Sequence, residues 1–175
     1  MKINSYKQIS TKKGDKGTSR DFSNKEFFKS DLLFEVLGSI DELSSNLGVT
    51  YHYSEFKKPL KDIQRKLQDI NSLIATSDND RRVKLNQITE EDVIKLEEFE
   101  EVLLKDTIIE PVFILPGSDG SLESAYLDVS RSITRRVERL LVKFVNREMR
   151  EDLELSMKYM NRLSDLLFIM ARNKK

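Results

Sequence analysis

Cysteine and tryptophan are absent from this 175-residue chain, histidine occurs once, and there are only six glycines and three prolines. Without cysteine there is no disulfide framework, no thiolate nucleophile and no cysteine-bound metal. A single histidine, His52, excludes a multi-histidine metal site, and any Ser-His-Asp triad would have to be built around it. So little glycine and proline argues against an all-β fold, which needs a turn signal every few residues. Neither sign of charge predominates: 30 Lys and Arg balance 30 Asp and Glu, which removes the bulk electrostatic case for a nucleic-acid partner. No apolar run opens the chain between Met1 and Lys13 and none elsewhere approaches membrane-spanning length, so no membrane partner is expected. What is present is 38% hydrophobic and 34% charged sequence. The expectation is one domain over residues 1–175, mostly helical, reduced and cytoplasmic.

The apolar spacing organises that domain. Val36, Ile40, Leu43 and Leu47 line one face of a first helix beginning near Asp31. Leu60, Ile63, Leu67, Ile70 and Ile74 alternate by three and four, a bundle seam, with Pro59 just inside the helix start. Residues 76–87 read as a polar connection. Thr89 caps a third helix whose first turn is Glu90-Glu91-Asp92. Ile108 to Pro116 is bracketed by prolines and reads as extended, followed by the turn Gly117-Ser118-Asp119-Gly120. A fourth helix is predicted over 122–146 and a fifth over 151–173. The class is therefore all-α: a five-helix, up-and-down, ferritin-like bundle over 31–175, with a non-helical arm at 1–30.

Three regions offer chemistry. In the arm, Gly14 and Gly17 permit a tight turn whose N–H groups could form an anion nest, ringed by Lys12, Lys16 and Arg20, with the Ser19 hydroxyl nearby. The same residues would also make an ordinary turn in a basic tail, and no P-loop pattern occurs in the chain. In the fourth helix, Val129, Ile133, Val137, Leu140 and Phe144 fall on one side, with Asp128, Arg131, Arg135, Glu138 and Arg139 on the other. Arginines one turn apart can clamp a polyphosphate through paired hydrogen bonds, although a solvated helix face has the same pattern. Asp41 lies on a small polar face of the first helix with Gly38 and Ser45. The glycines of that helix suggest close approach of a backbone or ligand, or, for Gly48, a C-cap. Asn161 and Asp165 lie one turn apart on the fifth helix, and Met157, Met160 and Met170 read as core. Neutrality is segregated: residues 11–20 hold four basic and one acidic residue, 131–143 five and one, and 90–110 two and nine.

Five stretches occur in an order that resembles the PduO-type ATP:cob(I)alamin adenosyltransferases. They are Thr11-Lys12-Lys13-Gly14-Asp15-Lys16-Gly17, Gly38-Ser39-Ile40-Asp41-Glu42-Leu43, Phe113-Ile114-Leu115-Pro116-Gly117, the run Arg131 to Arg139, and Asn161-Arg162-Leu163-Ser164-Asp165. The resemblance implies a homotrimer with active sites between subunits, transferring the adenosyl group of ATP to a reduced corrinoid (cobalamin) and releasing triphosphate. It implies that Thr11, Lys12, Gly14, Asp15, Lys16, Gly17, Ser19 and Arg20 wrap the triphosphate with Mg²⁺. Lys29, Arg135, Glu138 and Asn161 match other nucleotide-contacting positions. Asp41 and Arg131 match a pair bridging subunits beside the corrin, and Phe113 matches the aromatic that packs on the lower face of cobalt. No metal ligands in the protein itself are implied. A Co(II) reductase and an adenosylcobalamin-dependent acceptor enzyme are the implied partners.

This chemistry needs few nucleophiles, since cob(I)alamin supplies its own, and it asks the protein to aim C5′ of ATP and stabilise departing triphosphate. The chain departs from the family pattern at Asp128, where a His is usual, at Leu33, where an Arg is frequent, and at Ser118-Asp119, which separate two usually adjacent glycines. Asp128 is expected to add negative charge beside Arg131 on the cobalamin side. Asp128 and the altered Gly117–Gly120 turn leave room for a catalytically weak relative acting as an ATP or adenosylcobalamin sensor or delivery module.

Overall fold

The computed structural model describes residues 4–118 and 120–173. Helix α1 (Tyr6–Ile9) precedes a hairpin of β1 (Thr18–Arg20) and β2 (Glu26–Phe28). Then follow α2 (Leu32–Tyr53), α3 (Lys57–Ile74), the short α4 (Asn79–Arg82), α5 (Glu90–Leu104), α6 (Leu122–Glu148), a 3-10 turn at Glu151–Leu153, and α7 (Glu154–Arg172). The molecule is mostly helical. Helix α6 lies between α2 and α7, while α3 flanks α2 and α5 flanks α7. Lys66 on α3 pairs with Asp92 on α5 at 2.9 Å, and Phe56 meets Phe99 edge-on, so the outer helices also touch.

The predicted seams are the core. Val36, Ile40, Leu43 and Leu47 are fully buried on α2, and Leu60, Leu67, Ile70 and Ile74 meet them from α3. Asp31 caps α2 by accepting from the Leu33 N–H at 2.8 Å and also receives Arg147 from the end of α6 at 2.8 Å. Burial raises the Asp31 pKa, but these two donors outweigh it and hold the carboxyl below its ordinary value. Thr89 caps α5 as predicted, in a reciprocal capping box with Asp92. The Ile108–Pro116 segment has neither helix nor strand.

The arm and several boundaries differ from expectation. The arm is not wholly non-helical: the Gln8 carboxamide accepts from the Asn4 and Ser5 N–H groups and starts the single turn of α1. Its middle is an antiparallel hairpin, with Ser19 opposite Phe27. The connection at 76–87 includes α4, capped by Asp78 through the Arg81 N–H. Gly48 is no C-cap, because α2 continues to Tyr53; a Cβ there would come within 3.4 Å of the Gln64 amide, which donates to Ser44 O across the α2–α3 contact. Leu33 is 4% exposed and belongs to the core. Asp119 lies outside the described residues.

The fourth predicted helix buries Ile133, Val137 and Phe144 as expected, but its inner face is wider and more polar than expected. Val129 is 44% exposed, whereas Ser124, Asp128, Ser130 and Thr134 point inward and are buried. Their polar atoms are matched there: Ser130 donates to Asn46 on α2 at 2.8 Å, Thr134 to Ser130 O at 2.8 Å, and Ser124 to Ala171 O on α7 at 2.8 Å. Hydrophobicity alone left out part of the inner face because small hydroxyls and a paired carboxylate carry it.

Asp21 ties the arm to the bundle. Its buried carboxylate accepts from the Ser23 and Lys25 N–H groups at 2.8 Å, and from the Ser77 N–H, beyond α3, at 3.2 Å. Phe22 N–H adds a bond to Ala75 O at 2.7 Å. Replacing Asp21 by Ala leaves these donors short of an acceptor, a cost of about 1–3 kcal/mol. Limited proteolysis of Asp21→Ala is expected to cut the arm at Lys12, Lys16 or Arg20 about tenfold faster than in the parent, as a local opening of that size permits. The helical circular dichroism should be unchanged.

Candidate active site

The residues singled out in the sequence form three groups. The first is the arm. Lys12 (φ 58°) and Gly17 (φ 80°) adopt left-handed backbone, so the chain turns twice within six residues. Lys29 folds back over this turn: its backbone N–H donates to Gly17 O at 2.8 Å, and a Cβ on Gly14 would sit 2.6 Å from its Nζ. Gly14 therefore makes room for the Lys29 ammonium. The nest is smaller than expected, since the Asp15 and Gly17 N–H groups are used in local turns to Lys12 O and Gly14 O. Thr11, Lys12, Asp15 and Lys16 are exposed, Ser19 is half-buried, and Arg20 makes only a loose 3.7 Å pair with Glu26.

The second group lies between α6 and α7, where Arg135, Glu138, Arg139, Val142 and Asn161 line a cavity of about 360 Å³. Asn161 Nδ2 donates to Glu138 at 3.0 Å, Arg162 donates to Asn161 Oδ1 at 2.7 Å, and the same guanidinium reaches Glu97 on α5 at 2.7 Å. This chain fixes the amide and carboxylate relative to each other. Among the described residues Arg135 and Arg139 make no hydrogen bond or ion pair, while Arg136 pairs with Glu42 on α2. The stripe is thus sorted into one structural arginine and two whose donors are unspent. Unspent guanidiniums beside an oriented amide are suited to a phosphorylated ligand.

The third group is divided. Asp41 and Gly38 line a groove of about 900 Å³ between α2 and α3, and a Cβ on Gly38 would meet nothing within 4 Å. Among the described residues no other element's backbone comes within 4 Å of that position. Arg131 lies on α6 instead, its guanidinium 6.0 Å from the centre of the Phe168 ring on α7. The chain does not bring Asp41 and Arg131 together. Phe113 stands in the 105–121 loop and is 91% exposed. Among the described residues no hydrogen bond or ion pair joins the arm to Arg135, Glu138 or Asn161, so the groups remain separate within one chain.

Asp128 departs most from expectation. It is 2% exposed and is held bidentately by Arg172, through three N–H···O contacts of 2.9, 3.1 and 3.1 Å. Its charge is neutralised inside the protein rather than presented to a ligand. Arg172, Phe168 and Asp21 carry local organisation that the sequence did not reveal. Phe168 and Arg172 are spaced i,i+4 and so share a helix face, a usable signal, but Asp21 resembles any other turn residue until its partner Ser77 is known.

Glu100 borders the second group on α5. Burial first, then the neighbouring Asp165 and Glu97 carboxylates, push its pKa up to about 7, against the opposing pull of Arg162.

A mostly helical protein with segregated basic clusters on an arm and on one long helix defines a nucleotide-handling class. Comparison with known proteins makes this specific. A family model for cobalamin adenosyltransferase matches residues 9–174. A corrinoid adenosyltransferase of Citrobacter freundii is 36% identical over 170 residues, covering 94% of this chain and 93% of that one. The corrinoid adenosyltransferase of Homo sapiens is 37% identical over 173 residues, covering 94% and 68%. Among solved structures, a phenylalanine-to-alanine variant of the PduO-type ATP:corrinoid adenosyltransferase from Lactobacillus reuteri, complexed with cobalamin and ATP, superposes with a TM-score of 0.83. It is 32% identical, covering 94% of this chain and 92% of that one. The chain belongs to the cobalamin adenosyltransferase family.

The raised Glu100 value has a defined pH consequence. Between its ordinary value of 4.5 and about 7 the folded state holds a proton that the unfolded state has lost, so stability falls as pH rises through this window. Glu100→Gln removes that dependence. Urea unfolding should find the variant close to the parent at pH 5 and more stable than it at pH 8.

Proposed function

We propose that this protein transfers the 5′-deoxyadenosyl group of ATP to the cobalt of a reduced corrinoid, releasing triphosphate. The observation that carries this reading is the α6–α7 cavity, in which Arg135 and Arg139 keep their donors free beside the Glu138–Asn161 pair. The relatives' names and the solved neighbours' bound cobalamin and ATP point the same way.

In the reaction the Co(I) lone pair attacks C5′ of ATP, a Co–C bond forms, and the C5′–O bond breaks with its electrons leaving on triphosphate. The protein's work is placement and charge stabilisation. Arg135 and Arg139 donate to phosphate oxygens. Asn161, held by Glu138 and Arg162, offers a fixed amide edge to the nucleoside. Lys12, Lys16, Arg20 and Lys29 cover the triphosphate from the arm, and the Ser19 hydroxyl and Asp15 carboxylate face the same turn. Mg²⁺ fits as an ion carried on the phosphates. Such an ion takes one or two protein oxygens and keeps most of its shell from phosphate and water, and the described residues hold no group of three or more acidic or imidazole side chains suited to a protein cage. An apolar wall at Phe113 excludes an axial ligand from cobalt and so eases reduction of Co(II).

The separation of the three groups within one chain supports a homotrimer. There the arm and Asp41 of one subunit complete a site with Arg131, Arg135 and Phe113 of its neighbour. The five long helices form the bundle that carries this arrangement, residues 1–30 act as its ATP-binding arm, and residues 1–175 work as one unit. A Co(II) reductase supplies the reduced corrinoid and an adenosylcobalamin-dependent enzyme takes the product. A chain with no thiol to oxidise suits the reducing cytoplasm. Of the two departures that motivate a sensor instead, Asp128 and the altered Gly117–Gly120 turn, Asp128 is absorbed by Arg172.

The test mixes the protein with Mg-ATP and chemically reduced cobalamin and follows triphosphate together with a light-sensitive Co–C product. Tight ATP binding without turnover would favour the sensor. Arg135→Ala is expected to lower kcat by about 10²–10³, as loss of one preorganised charge-stabilising donor does, with the thermal midpoint unchanged; unaltered kinetics would mean the arginine is merely solvated. Phe113→Ala should slow adenosylation that starts from Co(II) far more than it weakens ATP binding, and equal loss of both would count against its assigned role.

A further inference from the structure

Asp128, Arg131, Phe168 and Arg172 form a cluster between α6 and the last turn of α7 that the triphosphate chemistry does not use. Both guanidiniums lie over one aromatic ring, Arg172 at 5.0 Å and Arg131 at 6.0 Å from the Phe168 centroid. Asp128 is the carboxylate between them. Its side chain is 1% exposed, it receives both terminal nitrogens of Arg172, and Oδ1 stands 3.7 Å from Arg131 Nε. Arg172 is further tied by Ser124 Oγ at 3.4 Å and Ala171 O at 3.3 Å, so the carboxylate cannot swing without breaking a buried network. Arg131 is different. It makes no hydrogen bond among the described residues, its Nε is buried without a hydrogen-bond partner, and its side chain is 29% exposed.

We propose that Asp128 is a positioning residue for the corrinoid half of the reaction: locked by Arg172, it holds the Arg131 guanidinium over Phe168 with its terminal nitrogens left free for an acceptor outside the chain. This rests on the activity reading given above. The physical logic is one of charge count. Two guanidiniums against one ring would repel each other; a single buried carboxylate binds both terminal nitrogens of Arg172 and attracts Arg131 without capturing its hydrogen bonds. The cluster keeps one net positive charge, and that charge is carried by the arginine that faces outward. A carboxylate at this position therefore does not set a negative charge against the corrinoid; it sets the orientation of a positive one. The ring adds a cation–π attraction that favours the guanidinium over its face.

A pair of variants separates positioning from simple stability. Asp128→Asn keeps the shape but removes the charge, leaving Arg172 and Arg131 facing each other. Asp128→Asn with Arg172→Met removes the repulsion as well and restores a neutral, packed interior. The measurements are urea unfolding and steady-state kinetics, with KM for ATP and for cob(I)alamin determined separately. The expected result is that the double variant recovers parental stability, while both variants show an approximately tenfold higher KM for cob(I)alamin, with KM for ATP changed less than twofold. Asp128→Glu, which returns the charge, should recover most of the corrinoid affinity. A double variant that regains both stability and corrinoid KM would overturn the proposal, because Asp128 would then serve only the fold. Equal rises in both KM values would overturn it too. A parent protein that yields no Co–C product under these conditions would instead overturn the activity reading and, with it, the corrinoid role given to Arg131.

Discussion

The rotational setting of α6 is the constraint on which the rest depends. This helix of 27 residues touches α2 on one side and α7 on the other, and it carries Asp128, Arg131, Arg135, Glu138 and Arg139. Whichever residues it buries, the residues a third of a turn away become the site. The setting is decided by Leu127, Val137 and Leu141, which are fully buried, and equally by the hydroxyls of Ser124 and Ser130, which find partners on α7 and α2. A buried hydroxyl without a partner opposes folding by an amount comparable to a lost hydrogen bond, so these matches select one rotation among several of similar apolar burial.

From that setting follows a division among the basic residues. Arg136 is turned to Glu42 and Arg172 to Asp128, and both are spent on structure. Arg135 and Arg139 line a cavity and make no hydrogen bond or ion pair among the described residues, and Arg131 lies over a ring, likewise without a hydrogen bond among them. A protein that must stabilise a departing triphosphate without a catalytic nucleophile needs this kind of reserve, since donors already satisfied internally would have to be freed at the moment of reaction. The arm obeys the same economy in another form. Asp21 spends its carboxylate on anchoring, so that the Gly14–Gly17 turn and Lys29 can be held at the surface without being buried.

Much of the fold was legible because it rests on short-range regularities. The three-four spacing of Leu60, Ile63, Leu67, Ile70 and Ile74, the cap at Thr89 and the proline-bracketed stretch after Ile108 are local signals with local causes. The polar site was legible through the arginine run and the paired glycines, with the family resemblance assigning roles to them. What was hidden is what depends on a partner distant in sequence. Asp128 was placed among outward polar residues since a carboxylate on a helix is normally solvated, and only Arg172, 44 residues away, makes its burial affordable. Gly48 read equally as a helix end or as a point of close approach, since the Gln64 amide that crosses it belongs to another helix. The one-turn α1 and the hairpin escaped notice because segments of three or four residues have too short a period to detect.

Sequence alone determined the class of protein, the positions of the long helices and the residue types available for handling a polyphosphate. The helices and the residue types follow from periodicity, capping and composition, which act between residues close along the chain, and the class from the family resemblance that five ordered stretches carry. Tertiary structure decided which arginines are free and which are spent, where the negative charge of Asp128 goes, and that Asp41 and Arg131 stand on different faces of one subunit. Each of these is settled by packing and pairing between elements far apart in sequence, where burial makes every unmatched charge or hydroxyl costly enough to fix a single arrangement.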